Sequence, residues 1–340
     1  MSDQDGTPVR IRHFTDPGCP FAFSAERQRL RLEWLYGDQL GWSTHMVVLR
    51  EESSPDWPYA EGFKSLQARY GMPIDWSPRA RQQATVRACR AVVAARLHAP
   101  DAAAALLRRL RVLCFAGHLI DEDATLDRAA AEAGLVPEDV RRWADDPAVE
   151  SALRDDMRAA RSPSPASRAQ DYKLGGPPGE RRYTCPSLEL ERAAPPLPDW
   201  PTAGRVDLPG FRPIEAYEAA IANLAPELTR RPDPEHVEDV LAWAEMPHAT
   251  AEVAAVCDRD VADVRAELAR AATFEPVGGD GYWALPARAA TSAPVRGNGA
   301  RFARDAGGRP QPEPSHAAAS GPAGDAGDAP DGLTARRHRR

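Results

Sequence analysis

The amino-acid sequence predicts an α/β domain interrupted by a large all-helical insertion. Short β-prone runs near the amino end flank a helical segment, as in a βαβ unit, and strand-like residues return only after residue 170. Between them, residues 79–160 carry an almost unbroken helical periodicity.

Residues 9–14 are β-prone, and Asp16-Pro17-Gly18 interrupts them. A long helix follows, with Leu30, Trp34 and Leu35 at helical spacing, before Gly41 opens a second strand through Trp42, Thr44, Met46 and Val48. Residues 53–78 are rich in Pro, Gly and aromatic side chains (Trp57, Tyr59, Phe63, Tyr70, Trp76) and read as a long ordered loop with short helical pieces. In the insertion, Val86, Ala88, Val92, Val93 and Leu97 form one apolar stripe, and Leu106, Leu107, Leu110, Leu113 and Phe115 a second. Asp121 and Asp123 precede a third helix that Gly134 ends; Pro137 opens a fourth and Asp146-Pro147 a fifth. Residues 162–170 resemble a linker, and 183–191 read as a strand broken by Cys185-Pro186. Proline inside a strand pattern belongs at an edge, a bulge or a cis bond. Pro213 starts a helix over 214–224. Residues 234–285 form a compact helical unit ending in a hairpin near Gly279-Asp280-Gly281, and the biased remainder after about residue 287 is expected to be disordered.

A length of 340 residues allows two or three domains and an ample core. Forty-three basic and fifty acidic side chains leave a net charge of −7, which disfavours the phosphate attraction that nucleic-acid binders need. No stretch approaches the ~18 uncharged apolar residues of a membrane span, and the amino end lacks a signal-like apolar run, so the chain reads as cytoplasmic with no membrane partner. The five cysteines, at 19, 89, 114, 185 and 257, are widely spaced, with no C-x-x-C pair and no zinc spacing. No metal is expected. In a reducing compartment a special cysteine is more often reactive than structural.

Cys19 is that cysteine. It follows a strand and turn and precedes the helix opened by Pro20, so its sulfur lies at the positive end of the helix dipole, where a thiolate is stabilised below the free value of about 8.5. The competing reading is a small buried apolar side chain.

Asp16-Pro17-Gly18-Cys19-Pro20-Phe21-Ala22 after a strand, a helical block, and Thr184-Cys185-Pro186-Ser187 before a last strand and helix together resemble the DsbA-like branch of the thioredoxin superfamily, over roughly residues 9–224. The resemblance implies a thioredoxin-like domain (1–52 and 171–226) with a helical insertion (53–170); the residue pattern beyond it adds a small helical, winged-helix-like subdomain (227–286) and a tail expected to be disordered (287–340). It implies thiol/disulfide oxidoreductase activity, with Cys19 as nucleophile, Pro186 as the facing cis-proline, and Pro20, Phe21 and Thr184 around the bound thiol. Where disulfide-exchanging members carry a second cysteine this chain has Ala22, so the motif is C-P-F-A and release of a mixed disulfide needs another thiol. Cys185 and a low-molecular-weight thiol co-substrate are the candidates. No tightly bound cofactor is expected, and the partner is a disulfide-containing protein or a small thiol.

Weaker expectations attach to neighbouring residues. His13 and Asp16 flank the motif and could tune Cys19; Phe21 and Phe23 could rim a substrate site; Ser24 could donate to the thiolate. Cys89 and Cys114 lie on apolar stripes and are expected to be buried. From His248 to Trp283 a helix-turn-helix pattern with a wing-like hairpin carries three arginines against seven acids, which suits packing or partner docking better than DNA. Two alternatives remain open: a thiol-cofactor-dependent enzyme similar to kappa-class glutathione transferases and hydroxychromene carboxylate isomerases, whose usual Ser is Cys19 here, and a non-catalytic scaffold.

Overall fold

The computed structural model describes residues 7–193 and 204–286. The tail expected to be disordered lies outside the described residues. The described residues cluster as one compact unit.

Strand β1 (Val9–Thr15) leads through α1 (Pro20–Ser24) and α2 (Glu26–Tyr36) into β2 (Leu40–Met46), parallel to β1. A parallel pair needs such a crossover, which is why the helices intervene. The single long helix expected here breaks at Ala25, whose amide is shared between the Phe21 and Ala22 carbonyls at 3.0 and 3.3 Å. The insertion follows as α3 (Ala60–Tyr70), α4 (Val86–His98), α5 (Pro100–Phe115), α6 (Asp123–Glu132), α7 (Pro137–Ala144), α8 (Pro147–Ala160) and α9 (Pro165–Arg168). Its helices carry their own punctuation. Proline occupies the first turn of α5, α7, α8 and α9, where its missing N–H costs nothing, and Asp146 Oδ1 accepts the Ala148 amide at 2.8 Å to cap α8. The two stripes read from the sequence meet in one core: Val92 and Val93 of α4 pack in the same cluster as Leu106, Leu110 and Leu113 of α5. The expected linker 162–170 contains α9, because the Ser164 hydroxyl accepts the Ser167 amide at 3.0 Å.

The chain returns to the sheet as β3 (Ser187–Arg192) and β4 (Arg205–Leu208), both antiparallel to their neighbours, in the order β2-β1-β3-β4. Ile11 thus lies between Trp42 and Leu190. The expected strand from 183 begins only at Ser187, since the Tyr183 amide bonds to the Ala160 carbonyl at 2.9 Å and the Cys185–Pro186 peptide, which is cis, precedes the first paired residue. Helix α10 (Ile214–Leu224) covers the sheet, with Ile221 buried against Leu190 and Leu35.

The last described segment is α11 (Val237–Ala244), β5 (His248–Ala249), α12 (Thr250–Cys257), α13 (Val261–Ala271), β6 (Thr273–Val277) and β7 (Asp280–Ala284), with a three-stranded sheet ordered β5-β7-β6. This is the winged-helix-like arrangement expected. It shares one apolar cluster with the thioredoxin-like sheet: Val253, Val256 and Leu268 pack with Leu32, Leu35 and Ile221. Its hairpin tip reaches the insertion, where Gly278 (φ 56°) lies so near the Ile74 carbonyl that a Cβ would sit 2.0 Å away. Only glycine fits both constraints.

Candidate active site

Cys19 is the N-cap residue of α1, fixed by its amide bond to the Asp16 carbonyl at 3.2 Å. Pro20 at the first helical position has no N–H to offer, so the sulfur is served by the next amides: those of Ala22 and Phe21 both lower the Cys19 pKa. The largest lowering comes from a hydrogen bond with the Cys185 thiol, opposed by burial and by the negative charge of Asp16. As a thiol, Cys19 donates instead to the Cys185 carbonyl at 3.4 Å. The net effect holds Cys19 below the ordinary thiol range, while burial and the neighbouring thiolate push Cys185 well up. Burial is also the first cause that raises the other three thiols: Cys89 well up, Cys114 up, Cys257 to about 11. One sulfur of five is therefore poised to ionise.

Asp16 is the hub behind this sulfur. Fully buried, its Oδ1 accepts the Gly18 amide at 2.7 Å, and its Oδ2 accepts the Leu49 amide at 2.8 Å, the Thr85 hydroxyl at 2.7 Å and the Cys89 thiol at 3.6 Å. The motif loop, the strand β2 exit and helix α4 are thus tied to one carboxylate. Asp16→Asn is expected to move two readings in opposite directions. Its charge disfavours the Cys19 thiolate, so the alkylation midpoint of Cys19 should fall to lower pH, while the buried donors left facing an amide should cost about 2 kcal/mol in urea unfolding. An upward shift of the midpoint would refute the electrostatic assignment.

A second buried charge lies close by. Arg111 on α5, fully buried, pairs with Glu26 at the start of α2 and donates to the Thr15 hydroxyl at the end of β1. The sequence signal was available: Arg111 falls four residues after Leu107 on an apolar stripe, where a charge demands a partner. His13 is buried, and burial followed by the Arg111 charge holds its pKa well below the ordinary value, so it is neutral and offers no cation to Cys19. The Ser24 hydroxyl is buried with no hydrogen-bond partner and does not reach the thiolate. Phe23 stacks on Phe115 at 4.5 Å in the core, whereas Phe21 remains 44% exposed.

Phe21, Thr184 and Cys185 line a groove of about 1010 Å³ that continues past Tyr70 and Phe211 to α12. Thr184 is oriented by donating to the Lys173 carbonyl at 2.7 Å. Cys19, 5% exposed, sits just behind this wall. Pro186 borders a separate small cavity with Ala22 and His13. Among the described residues there is no cluster of His, Cys, Asp and Glu that could hold a metal, and no helix is long and apolar enough to cross a membrane.

Residues 10–164, just under half of the chain, match the family model of the DSBA-like thioredoxin domain; the match ends before Cys185 and Pro186. No curated protein matches the chain significantly. Solved structures that resemble it include a putative protein disulfide isomerase from Nitrosomonas europaea (16% identity, 64% of this chain and 98% of that one, TM-score 0.49). A probable DsbA oxidoreductase from Streptomyces coelicolor (18%, 66% and 93%, 0.46) is similar. So is the cytosolic disulfide reductase DsbM from Pseudomonas aeruginosa (18%, 54% and 85%, 0.42). With a parallel β1-β2 pair, two antiparallel strands and a helical insertion, the chain has a thioredoxin-like fold of the kind that the family match over residues 10–164 describes.

Proposed function

We propose that the protein is a thiol/disulfide oxidoreductase that uses Cys19, the single cysteine of its C-P-F-A motif, as the thiolate that attacks substrate. The observation that carries this reading is the juxtaposition of Cys19 with Cys185, in which helix amides and a neighbouring thiol favour the anion at one sulfur alone. The thiolate attacks a substrate disulfide; that S–S bond breaks, a Cys19–substrate bond forms, and the departing sulfur leaves with the electron pair. With the Cys19 charge gone, a cause of the raised Cys185 pKa is removed, and the Cys185 thiol gives its proton to that leaving group. The Cys185 thiolate so formed then attacks Cys19 Sγ, closing a Cys19–Cys185 bridge and freeing the rest of the substrate. Two molecules of a low-molecular-weight thiol restore the reduced pair and leave as their disulfide. A cytoplasmic, thiol-rich setting suits this direction.

Limiting iodoacetamide at pH 7, followed by peptide mapping, is expected to label Cys19 ahead of the other four cysteines. Preferential labelling of Cys89 or Cys257 overturns the reading.

A further inference from the structure

The groove in front of Cys185 has an unbalanced charge. Of its acids, Glu218 and Asp258 are engaged by Arg31 at 3.7 and 3.6 Å, and its Arg259 is paired with Glu267 at 2.7 Å. Arg27, Arg69 and Lys173 have no carboxylate within ion-pair reach among the described residues. Arg27 and Arg69 instead lie over the Tyr70 ring, at 5.6 and 5.2 Å, and Lys173 lies 5.7 Å from the Tyr172 ring and donates to the Phe211 carbonyl at 3.5 Å. The Arg27 Nε is buried without a hydrogen-bond partner. Against these three cations stands one unpaired acid, the exposed Glu215. In a chain of net charge −7, in which most of the described arginines are ion-paired, three cations without a carboxylate partner on one groove are an anion-recognition surface.

The groove's size bears on the ligand. Small-molecule pockets run to about 300–1,000 Å³; this one, at about 1010 Å³, extends from Phe21 along Tyr70 and Phe211 to the small side chains Ala251, Ala254 and Ala255 of α12. Apolar and aromatic surface alternates with cations along it, which suits several residues of extended chain.

We propose that this groove selects an acidic peptide segment whose cysteine is held in a disulfide, its carboxylates lying on Arg27, Arg69 and Lys173 while its sulfur meets Cys19. The proposal rests on the reading of Cys19 as the nucleophile and names the substrate class of that site.

The test uses equal-length peptides with one central cysteine, acidic, uncharged or lysine-rich around it, each presented as the mixed disulfide with thionitrobenzoate. The Cys19 thiolate attacks the peptide sulfur, the peptide–thionitrobenzoate S–S bond breaks, a Cys19–peptide bond forms, and thionitrobenzoate leaves with the electron pair and is read by its absorbance. With the full-length protein the acidic peptide should react about tenfold faster than the lysine-rich one, the uncharged peptide falling between. The spread should shrink with added salt as screening lengths contract. Arg69→Glu, at an exposed position, should invert the order, and the R27Q/R69Q/K173Q variant should bring the acidic-to-lysine ratio towards one. Equal rates for the three peptides, or an order that survives both variants, overturn the proposal. So does an acidic cysteine derivative of one residue that reacts as fast as the acidic peptide. Failure of the underlying reading looks different: release would then be unchanged in Cys19→Ser for every peptide.

Discussion

Replacing Cys185 by Ala is expected to slow alkylation of Cys19 at pH 7 about tenfold and to move its pH midpoint upward, because the Cys185 thiol is the largest single stabiliser of the Cys19 anion. The sign follows from the pair's asymmetry. Burial disfavours both anions, and one negative charge between two sulfurs leaves the other protonated and donating. Removing the donor leaves the Phe21 and Ala22 amides against burial and Asp16. Cys19→Ser should lower disulfide exchange by on the order of 10³-fold or more, since a hydroxyl is not ionised at neutral pH. The two variants separate roles: loss in Cys19→Ser with a pH-shifted, slower reaction in Cys185→Ala identifies attacker and proton donor. Unshifted alkylation in Cys185→Ala would remove Cys185 from the mechanism. Trapping of a Cys19–substrate mixed disulfide in that variant is the companion reading, because its intramolecular route of release is gone.

The largest stability effect is expected at Glu252, the buried acid by which α12 holds the insertion. Its carboxylate meets Arg108 of α5 at 2.6 and 2.7 Å and the His248 ring at 3.2 Å; Arg108 also lies 3.7 Å from Glu26, which pairs with Arg111, and faces the Tyr282 ring. Burial alone would raise the Glu252 pKa, but Arg108 foremost, then His248, bring it down from 4.5 to about 2. A depressed acid contributes its stability above about pH 4.5 and loses it as pH falls through about 2, here about 3 kcal/mol in all. Glu252→Gln should therefore destabilise by about 3–5 kcal/mol at pH 7, because Arg108 is left buried and uncompensated. It should also flatten the acid limb of the stability curve between about pH 4.5 and 2. Urea unfolding across pH measures both. A variant within about 1 kcal/mol of the parent, with the acid limb unchanged, would show that the pair is dispensable. The double change Arg108→Met with Glu252→Leu should recover much of the loss, since it removes both charges together.

The local features of the site were legible in the chain. Asp16-Pro17-Gly18 stops a strand by its backbone preferences, Pro20 pre-sets a first helical turn, and the order of periodicities prescribes which segment follows which. Each of these acts over a few residues, so neighbouring side chains suffice to read it. Helix ends marked by Pro137, Pro147 and Gly134 were legible for the same reason. The break at Ala25 and the late start of β3 were not, since both turn on hydrogen bonds that compete with the local pattern. Ser24 and His13 were candidates because of their spacing alone; burial without a suitable partner removes both from the thiolate.

By itself the sequence determined that a cysteine stands where a strand gives way to a helix, that a proline follows a second cysteine far downstream, and that a helical block separates them. Only the tertiary structure decided that those two sulfurs meet across 166 residues, that Arg108 finds Glu252 across 144, and that Arg27, Arg69 and Lys173 face one groove with no carboxylate in ion-pair reach among the described residues. The reason is physical. Turn and helix preferences are set by adjacent backbone and side chains, whereas the ionisation of a buried thiol or carboxylate depends on whichever charges and dipoles folding brings within a few ångströms, and spacing along a chain does not encode that distance.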